Sequence, residues 1–147
     1  MRLLVCGNRD IPPTCRSIVR ETLLAFQREH GLRPSEITVI HGGNGKRDSF
    51  GQIIEGLDIL VGDVAMDLGW HVIERKAEWK RLGHAAGPIR NQRMIDEERP
   101  THGMAFGDIG RPGTGDCVKR MRKAGFEPAL VSREELGVPV RCYPRRK

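Results

Sequence analysis

Aromatic residues are scarce in this chain, at 5% of its 147 positions, and no apolar run approaches the length of a membrane-spanning helix. The scarcity of aromatics predicts a mainly aliphatic core. The short apolar runs argue against a transmembrane segment, and glycine breaks the opening MRLLVCG too early for a signal peptide. These absences predict a cytoplasmic protein that has no membrane partner.

Common metal and nucleotide signatures are also missing. The cysteines form no CxxC pair and have no histidine at zinc spacing, so we expect reduced thiols and no metal site. The glycine-rich segments lack both the GxxxxGK[ST] spacing of a P-loop and the full GxGxxG of a dinucleotide oxidoreductase, and no cofactor is expected. The cysteines in question are Cys6, Cys15, Cys117 and Cys142.

Positive charge is what the chain has in excess. Its formal net charge is +6, and 30% of its residues are charged. The length of the chain suits one globular domain. Part of the excess lies in two basic clusters, at residues 119–123 and 145–147. Such a balance favours an anionic ligand or nucleic acid, without distinguishing between the two.

Short apolar segments alternate with helical patterns along the chain. This alternation predicts an α/β fold, a Rossmann-like three-layer sandwich around a mostly parallel five-stranded sheet. Ligands of such sheets bind beyond the carboxyl ends of the strands. The expected strands are 2–6, 36–40, 70–73, 103–106 and 126–131, and the expected helices are 14–30, 57–68, 87–98 and 114–124.

The helix expected at 87–98 carries its charges in an unfavourable order. Arg90 and Arg93 come near its positive end, whereas three acidic residues close it. The two arginines fall within about 60° of each other on a helical repeat. An anion held at this end would make their placement favourable. The alternative is that both side chains are solvated or pair loosely with Glu97.

Polar turns follow three of the expected strands and should meet at one edge of the sheet. In GNRD, Gly7 and Arg9 could hold phosphate and Asp10 could bond a sugar or base, or the segment is an ordinary turn with a surface ion pair. In HGGNG, the glycines Gly42 and Gly43 permit close approach of phosphate.

His41, the first residue of HGGNG, has three open interpretations. It could donate a hydrogen bond to a ligand, act in proton transfer, or only cap the turn. The third turn, GRPGTGD at residues 110–116, places Gly113 and Thr114 at a helix start. There Thr114 could cap the helix or contact phosphate.

Five segments together closely resemble the YspA-like branch of the SLOG superfamily, which is related to the Lonely Guy family: CGNRD, VIHGGNG, GLDILVGDVA, EWKRLGHAAGPIRNQRM and AFGDIGRPGTGD. The resemblance covers about residues 1–131 and leaves 132–147 as a basic, loosely attached tail. It implies a Rossmann-like fold and a nucleotide or ADP-ribose-type ligand. The implied contacts are Gly7, Arg9, Asp10, His41, Gly42, Gly43, Asp58, Arg90, Asn91, Arg93, Gly113 and Thr114.

Two departures from the family pattern bear on activity. About a dozen residues, 45–55, are inserted after the HGG turn, and they could reshape the pocket or form a lid with Phe50, Ile53 and Ile54 facing the ligand. In addition, Lonely Guy enzymes carry PGGxGTxxE, whereas here Cys117 takes the position of the Glu and Asp116 comes one residue early.

Three functions therefore remain open from the sequence. The first is a nucleotide-binding module that senses, sequesters or processes its ligand. The second is an N-glycosidic hydrolase of nucleoside monophosphates, in which Asp58 or Asp116 stabilises positive charge on the ribose, with His41 as a further catalytic candidate. The third is single-stranded nucleic-acid binding, which the shortage of aromatic residues disfavours. Assembly into a homo-oligomer is also open.

Overall fold

A computed structural model describes residues 1–140 of the chain. The strands are β1 (Arg2–Gly7), β2 (Thr38–His41), β3 (Lys46–Arg47), β4 (Ile53–Glu55), β5 (His71–Glu74), β6 (His102–Phe106) and β7 (Ala129–Val131). The helices are α1 (Arg16–Glu29), α2 (Leu57–Asp67), α3 (Trp79–Leu82), α4 (Ala86–Glu98) and α5 (Pro112–Lys123). None of these helices combines the length and apolar character needed to cross a bilayer.

Five strands form one sheet in the order β5-β2-β1-β6-β7, and every neighbouring pair is parallel. The α/β, Rossmann-like prediction is confirmed. From β1 the chain first builds outward through β2 and β5, then returns to place β6 on the other side of β1. The order of the strands therefore reverses between β1 and β6, which is where ligands bind in sheets of this type.

The core has one apolar layer on each face of the sheet. Successive side chains of a strand point to opposite faces, so the continuous apolar run of β1 feeds both layers. Leu3 and Val5 join a cluster with residues of α1 and α2, whereas Leu4 and Cys6 join a second cluster with residues of α4 and α5. This arrangement places α4 and α5 side by side, with their first turns above the end of β1.

Element boundaries differ from the sequence expectation by a few residues. The first helix begins at Arg16, two residues later than expected, after a single 3-10 turn at Pro13–Cys15. The last strand is shorter than expected, since it begins at Ala129. The helix expected at 87–98 begins one residue earlier, at Ala86, and ends at Glu98 as predicted.

The inserted segment forms a small antiparallel hairpin, β3–β4. The Asp48 carboxylate closes its turn by accepting hydrogen bonds from two backbone N–H groups, and Arg47 attaches it to α2 through an ion pair with Asp63 (2.9 Å). Ile53 packs against the core. Phe50 and Ile54 instead point to solvent, with 87% and 54% of their surface exposed, so the lid alternative, with these two side chains facing a ligand, is not the arrangement in this structure.

The expected loose tail is part of the core at its start. Arg133, Leu136 and Val138 are buried, and the Cys15 thiol donates a hydrogen bond to the carbonyl of Leu136 (3.5 Å). Loose attachment is therefore wrong for this stretch, because burial of two apolar side chains holds it in place. Residues 141–147, which include Cys142 and the basic cluster 145–147, lie outside the described residues.

Candidate functional site

A cavity of about 440 Å³ lies where the order of the strands reverses. Its walls come from the turn after β1, the turn that leads into α5, and the first two turns of α4, together with Asn44 and Trp79. A volume of this size is within the usual range for small-molecule sites. All three polar turns that the sequence places at strand ends thus reach one cavity, the HGGNG turn through Asn44 alone.

The first turn of α5 offers unpaired N–H groups to this cavity. Arg111 is the extended residue before the helix, Pro112 takes the first helical position, and the first turn holds no acidic residue and no side-chain cap. Within residues 1–140 the N–H groups of Gly113 and Thr114 have no acceptor. Because the helix dipole adds positive potential at this end, the turn is suited to an anion.

The first turn of α4 lines the same cavity. The residue before this helix, Ala85, provides no side-chain cap, and no acidic residue follows in the first turn. Gly87 and Pro88 form part of the cavity wall. Residues from the first turns of two helices therefore border one space.

Arg90 brings a buried guanidinium to the cavity. Only 7% of this residue is exposed, and its hydrogen bonds go to uncharged acceptors: the Gly42 carbonyl (2.5 Å), the Arg75 carbonyl (3.3 Å) and Oδ1 of Asn91 (2.9 Å). Burial lowers its pKa, although the nearby Asp58 opposes that shift. Among the described residues no partner is bonded to Nη2, which leaves that nitrogen for a further acceptor.

Arg93 lies outside the cavity. Its side chain is half exposed and forms loose ion pairs with Glu78 (3.6 Å) and Glu97 (3.5 Å). The expectation that Arg90 and Arg93 point at one anion is therefore wrong. Arg93 takes the alternative arrangement, in which it pairs with Glu97.

Arg111 and Arg9 supply the other positive charges on the cavity wall. Arg111 is held there by Asp10, whose carboxylate also accepts a hydrogen bond from Arg133 (2.5 and 2.9 Å). Burial acts to raise the pKa of Asp10, but the two arginines outweigh burial and lower it. Asp10 thus positions arginines and does not itself line the cavity.

Arg9 lies over the ring of Trp79, with its guanidinium carbon 5.3 Å from the ring centroid. Trp79 belongs to the short helix α3, and 44% of its surface is exposed. Both side chains line the cavity. This pair forms an aromatic and cationic edge that sequence analysis did not assign to the site.

Asn8 is the clearest site residue that sequence analysis missed. It is 2% exposed, and its amide donates to the Asp108 carbonyl and to Oγ1 of Thr114 (3.0 and 3.1 Å) while its Oδ1 accepts from the Asp108 N–H (2.7 Å). Asn8 therefore joins the turn after β1 to the start of α5. A polar residue directly after a buried strand is the only sequence signal for it.

His41 lies beneath the site and does not reach the cavity. It is 3% exposed, its Nδ1 accepts a hydrogen bond from the Gly43 N–H (3.0 Å), and burial lowers its pKa to about 4. This neutral imidazole holds the turn, which is the capping alternative. Gly42 leaves room for Arg90, since a Cβ there would lie 2.4 Å from Nη1. Neither Gly42 nor Gly43 lines the main cavity.

Asp58 lies under the floor of the cavity. It borders a small void with Arg90, Asn91, Thr114 and Cys117. Its Oδ2 accepts a hydrogen bond from the Asn44 N–H (3.1 Å), whereas its buried Oδ1 has no partner within residues 1–140. Burial raises its pKa to about 6, against the lowering effect of Arg90 and of backbone N–H groups.

Asp116 is the carboxylate that lines the cavity itself. Its Oδ2 accepts hydrogen bonds from Asn91 (3.0 Å) and Arg120 (2.8 Å). Burial acts to raise its pKa, but these two donors outweigh burial and lower it. Asp116 is therefore ionised at neutral pH, and Asn91 acts as a link between Arg90 and this carboxylate.

Gly7 and Gly113, two of the four glycines predicted to contact ligand, differ in their surroundings. A Cβ on Gly7 would lie 2.4 Å from Cγ of Leu57, so this glycine is required for packing of β1 against α2. A Cβ on Gly113 would meet nothing within 4 Å, because it would point into open space. Gly113 therefore tolerates a side chain, and Gly7 does not.

Comparison of the chain with protein-family models, with curated proteins and with solved structures found no match. The described residues also contain no group of three or more His, Cys, Asp or Glu side chains placed to hold a metal ion. The cavity and its side chains therefore provide the evidence for function.

Proposed function

We propose that this chain binds a nucleotide or nucleotide-derived ligand of the ADP-ribose type, as a sensor, sequestering protein or processing enzyme of the YspA-like branch of the SLOG superfamily. One observation carries the proposal: Arg9, Arg90 and Arg111 share a cavity with the uncapped start of α5. Unpaired N–H groups, a helix dipole and guanidinium groups favour phosphate when they converge.

The size and polarity of the cavity favour a ligand larger than phosphate. At about 440 Å³ it has room for groups beyond a single anion. Asn44 and Asp116 add neutral and anionic hydrogen-bonding groups to its wall, which suit the hydroxyl groups of a ribose. A phosphorylated ribose therefore fits the chemistry of the wall better than inorganic phosphate alone.

A thermal-shift panel tests the proposal. The panel compares nucleoside monophosphates and diphosphates, ADP-ribose, cyclic nucleotides, inorganic phosphate and single-stranded oligonucleotides. A ligand at 100 times its Kd should stabilise the folded chain by about 2.7 kcal/mol and raise Tm by about 5–10 °C. No shift with any nucleotide would contradict the proposal, and binding of oligonucleotides with a steep salt dependence would favour the nucleic-acid function instead.

A second candidate function, N-glycosidic hydrolysis, is favoured by the position of Asp116. This ionised carboxylate lines the same cavity as the arginines, so it could stabilise positive charge that develops on a ribose. Asp58 is less suited to that role because it lies below the floor.

Release of free base from nucleoside monophosphates distinguishes the two functions. If the chain is a hydrolase, Asp116→Asn should lower kcat by about 100- to 1000-fold, because the charge that stabilises the transition state is lost. Ligand affinity should change little, since Asn retains the hydrogen-bonding shape. The measurement is base release by chromatography, and an unchanged rate in the variant would exclude this role for Asp116.

A further inference from the structure

Phosphate binding does not use the ring of Trp79, which lies partly exposed at the edge of the cavity. Tryptophan side chains with this much surface in water are unusual unless they have a partner, because burial of an aromatic ring is strongly favourable. The indole also approaches α4 closely, since a Cβ on Gly87 would lie 3.1 Å from its Cη2. That contact fixes the indole against the start of α4.

A cation–π contact is the interaction that holds Arg9 over the Trp79 ring. Within the described part of the chain Arg9 makes no hydrogen bond and no ion pair, and the Trp79 ring is its only close contact of this kind. A cation–π contact at an exposed site is weak. The Arg9 guanidinium can therefore leave the ring when a better partner for either group arrives.

Trp79 and Arg9 also separate two spaces. Besides the main cavity, they line a second cavity of about 320 Å³, which is bordered by the turn after β2 and by Lys46 and Glu55 of the hairpin. A flat ring stacked on the indole would therefore have open space at its own edges, in the two cavities. This geometry suits a planar ring that carries polar atoms around its rim.

We propose that the indole of Trp79 is the platform on which the base of the ligand stacks, with Arg9 moving from the ring to the ligand. This inference rests on the proposed nucleotide function and adds an orientation to it. The phosphate lies at the start of α5, and the base lies at the Trp79 edge. The ligand class is then an aromatic-base nucleotide, and a sugar phosphate without a base binds more weakly.

Calorimetry with two ligands tests the platform. In the wild-type chain we expect a nucleoside monophosphate to bind about 5- to 150-fold more tightly than ribose 5-phosphate, which is the range of one base–aromatic stack. Trp79→Ala should remove most of this difference, because it weakens binding of the nucleoside monophosphate far more than binding of ribose 5-phosphate. Trp79→Phe should retain most of it, and the Tm of each unliganded variant checks its folding.

Fluorescence supplies a readout that a purely structural role would not give. The chain has two tryptophans, and the other, Trp70, is 4% exposed and bonded to Gln27. A base on Trp79 should quench emission in the wild type, ribose 5-phosphate should not, and Trp79→Phe should lose the effect. Tight nucleotide binding without quenching, or an unchanged base preference in Trp79→Ala, would overturn the platform alone. Binding of neither ligand by the wild type would overturn the proposed function, and the platform with it.

Discussion

Gly113→Glu is expected to abolish nucleotide binding while leaving the fold at least as stable as the wild type. Gly113 is in the first turn of α5, lines the cavity, and has free space where a side chain would begin. A carboxylate there would occupy the site that the ligand phosphate needs and would repel it. A like charge at this distance costs several kcal/mol, so the affinity should fall by at least about 100-fold.

The effect of the same substitution on stability has the opposite sign. Replacing glycine in a helix removes backbone freedom from the unfolded chain, which is worth up to about 1 kcal/mol. An acidic side chain in the first turn also interacts favourably with the helix dipole, by about 0.3–1 kcal/mol. Urea unfolding should therefore show an unchanged or increased free energy of unfolding, with Tm higher by about 2–4 °C.

Two matched variants separate charge from size and position. Gly113→Gln has the same length without the charge and should weaken binding much less than Gly113→Glu. Arg93→Ala removes a cation from the neighbouring helix but outside the cavity, and should leave the affinity within about twofold of the wild type. Equal losses in Gly113→Glu and Gly113→Gln would contradict an anion site at the start of α5.

The fold could be predicted because its determinants are local. The run RLLVC of β1 can be buried on both faces only in a covered parallel sheet, and Gly125 marks the end of α5 within the sequence itself, although the helix begins at Pro112, two residues before the expected start. These signals depend on residue type and spacing, and tertiary contacts did not override them.

The site could be predicted only in part, because its details depend on partners distant in sequence. Arg90 and Arg93 have the same helical signal, but Glu78 and Glu97 hold Arg93 outside, whereas the Gly42 carbonyl holds Arg90 inside. Periodicity alone cannot distinguish these outcomes.

The start of the tail shows the same dependence on distant partners. Arg133 is buried because Asp10, more than a hundred residues earlier, accepts its hydrogen bond. The sequence around Arg133 contains no sign of that partner, so its polar, proline-containing composition predicts a loosely attached tail.

Asp58→Asn is expected to stabilise the chain at neutral pH and to lose much of that advantage in acid. The carboxyl is buried with an unpartnered Oδ1, and burial raises its pKa from 3.8 to about 6. The folded state therefore binds the proton more tightly than the unfolded state. Between these two values the folded state holds a proton that the unfolded state lacks, so Asp58 costs stability increasingly as pH rises from about 4 to above 6.

The size of the stability gain in Asp58→Asn follows from the shift in the pKa of Asp58. Removing the charge should add about 2 kcal/mol more stability at pH 7 than at pH 4.5, an order-of-magnitude value from linkage. An amide nitrogen without an acceptor reduces the gain at every pH by about 1 kcal/mol, which does not alter the dependence on pH. Urea unfolding of both chains from pH 4.5 to 7.5 measures the difference, and a gain independent of pH would contradict the assignment.

His41→Asn provides the control of opposite sign. Burial lowers the pKa of His41 from 6.5 to about 4, so in this interval the unfolded state binds a proton that the folded state lacks, and the wild type loses stability as pH falls. Asn retains an oxygen that can accept from the Gly43 N–H, and removes that loss. Relative to the wild type, the free energy of unfolding of His41→Asn should therefore increase as pH falls, whereas that of Asp58→Asn should increase as pH rises. Between pH 4 and 6 the two residues oppose each other in the wild type, so each variant should reveal the slope that the other residue contributes.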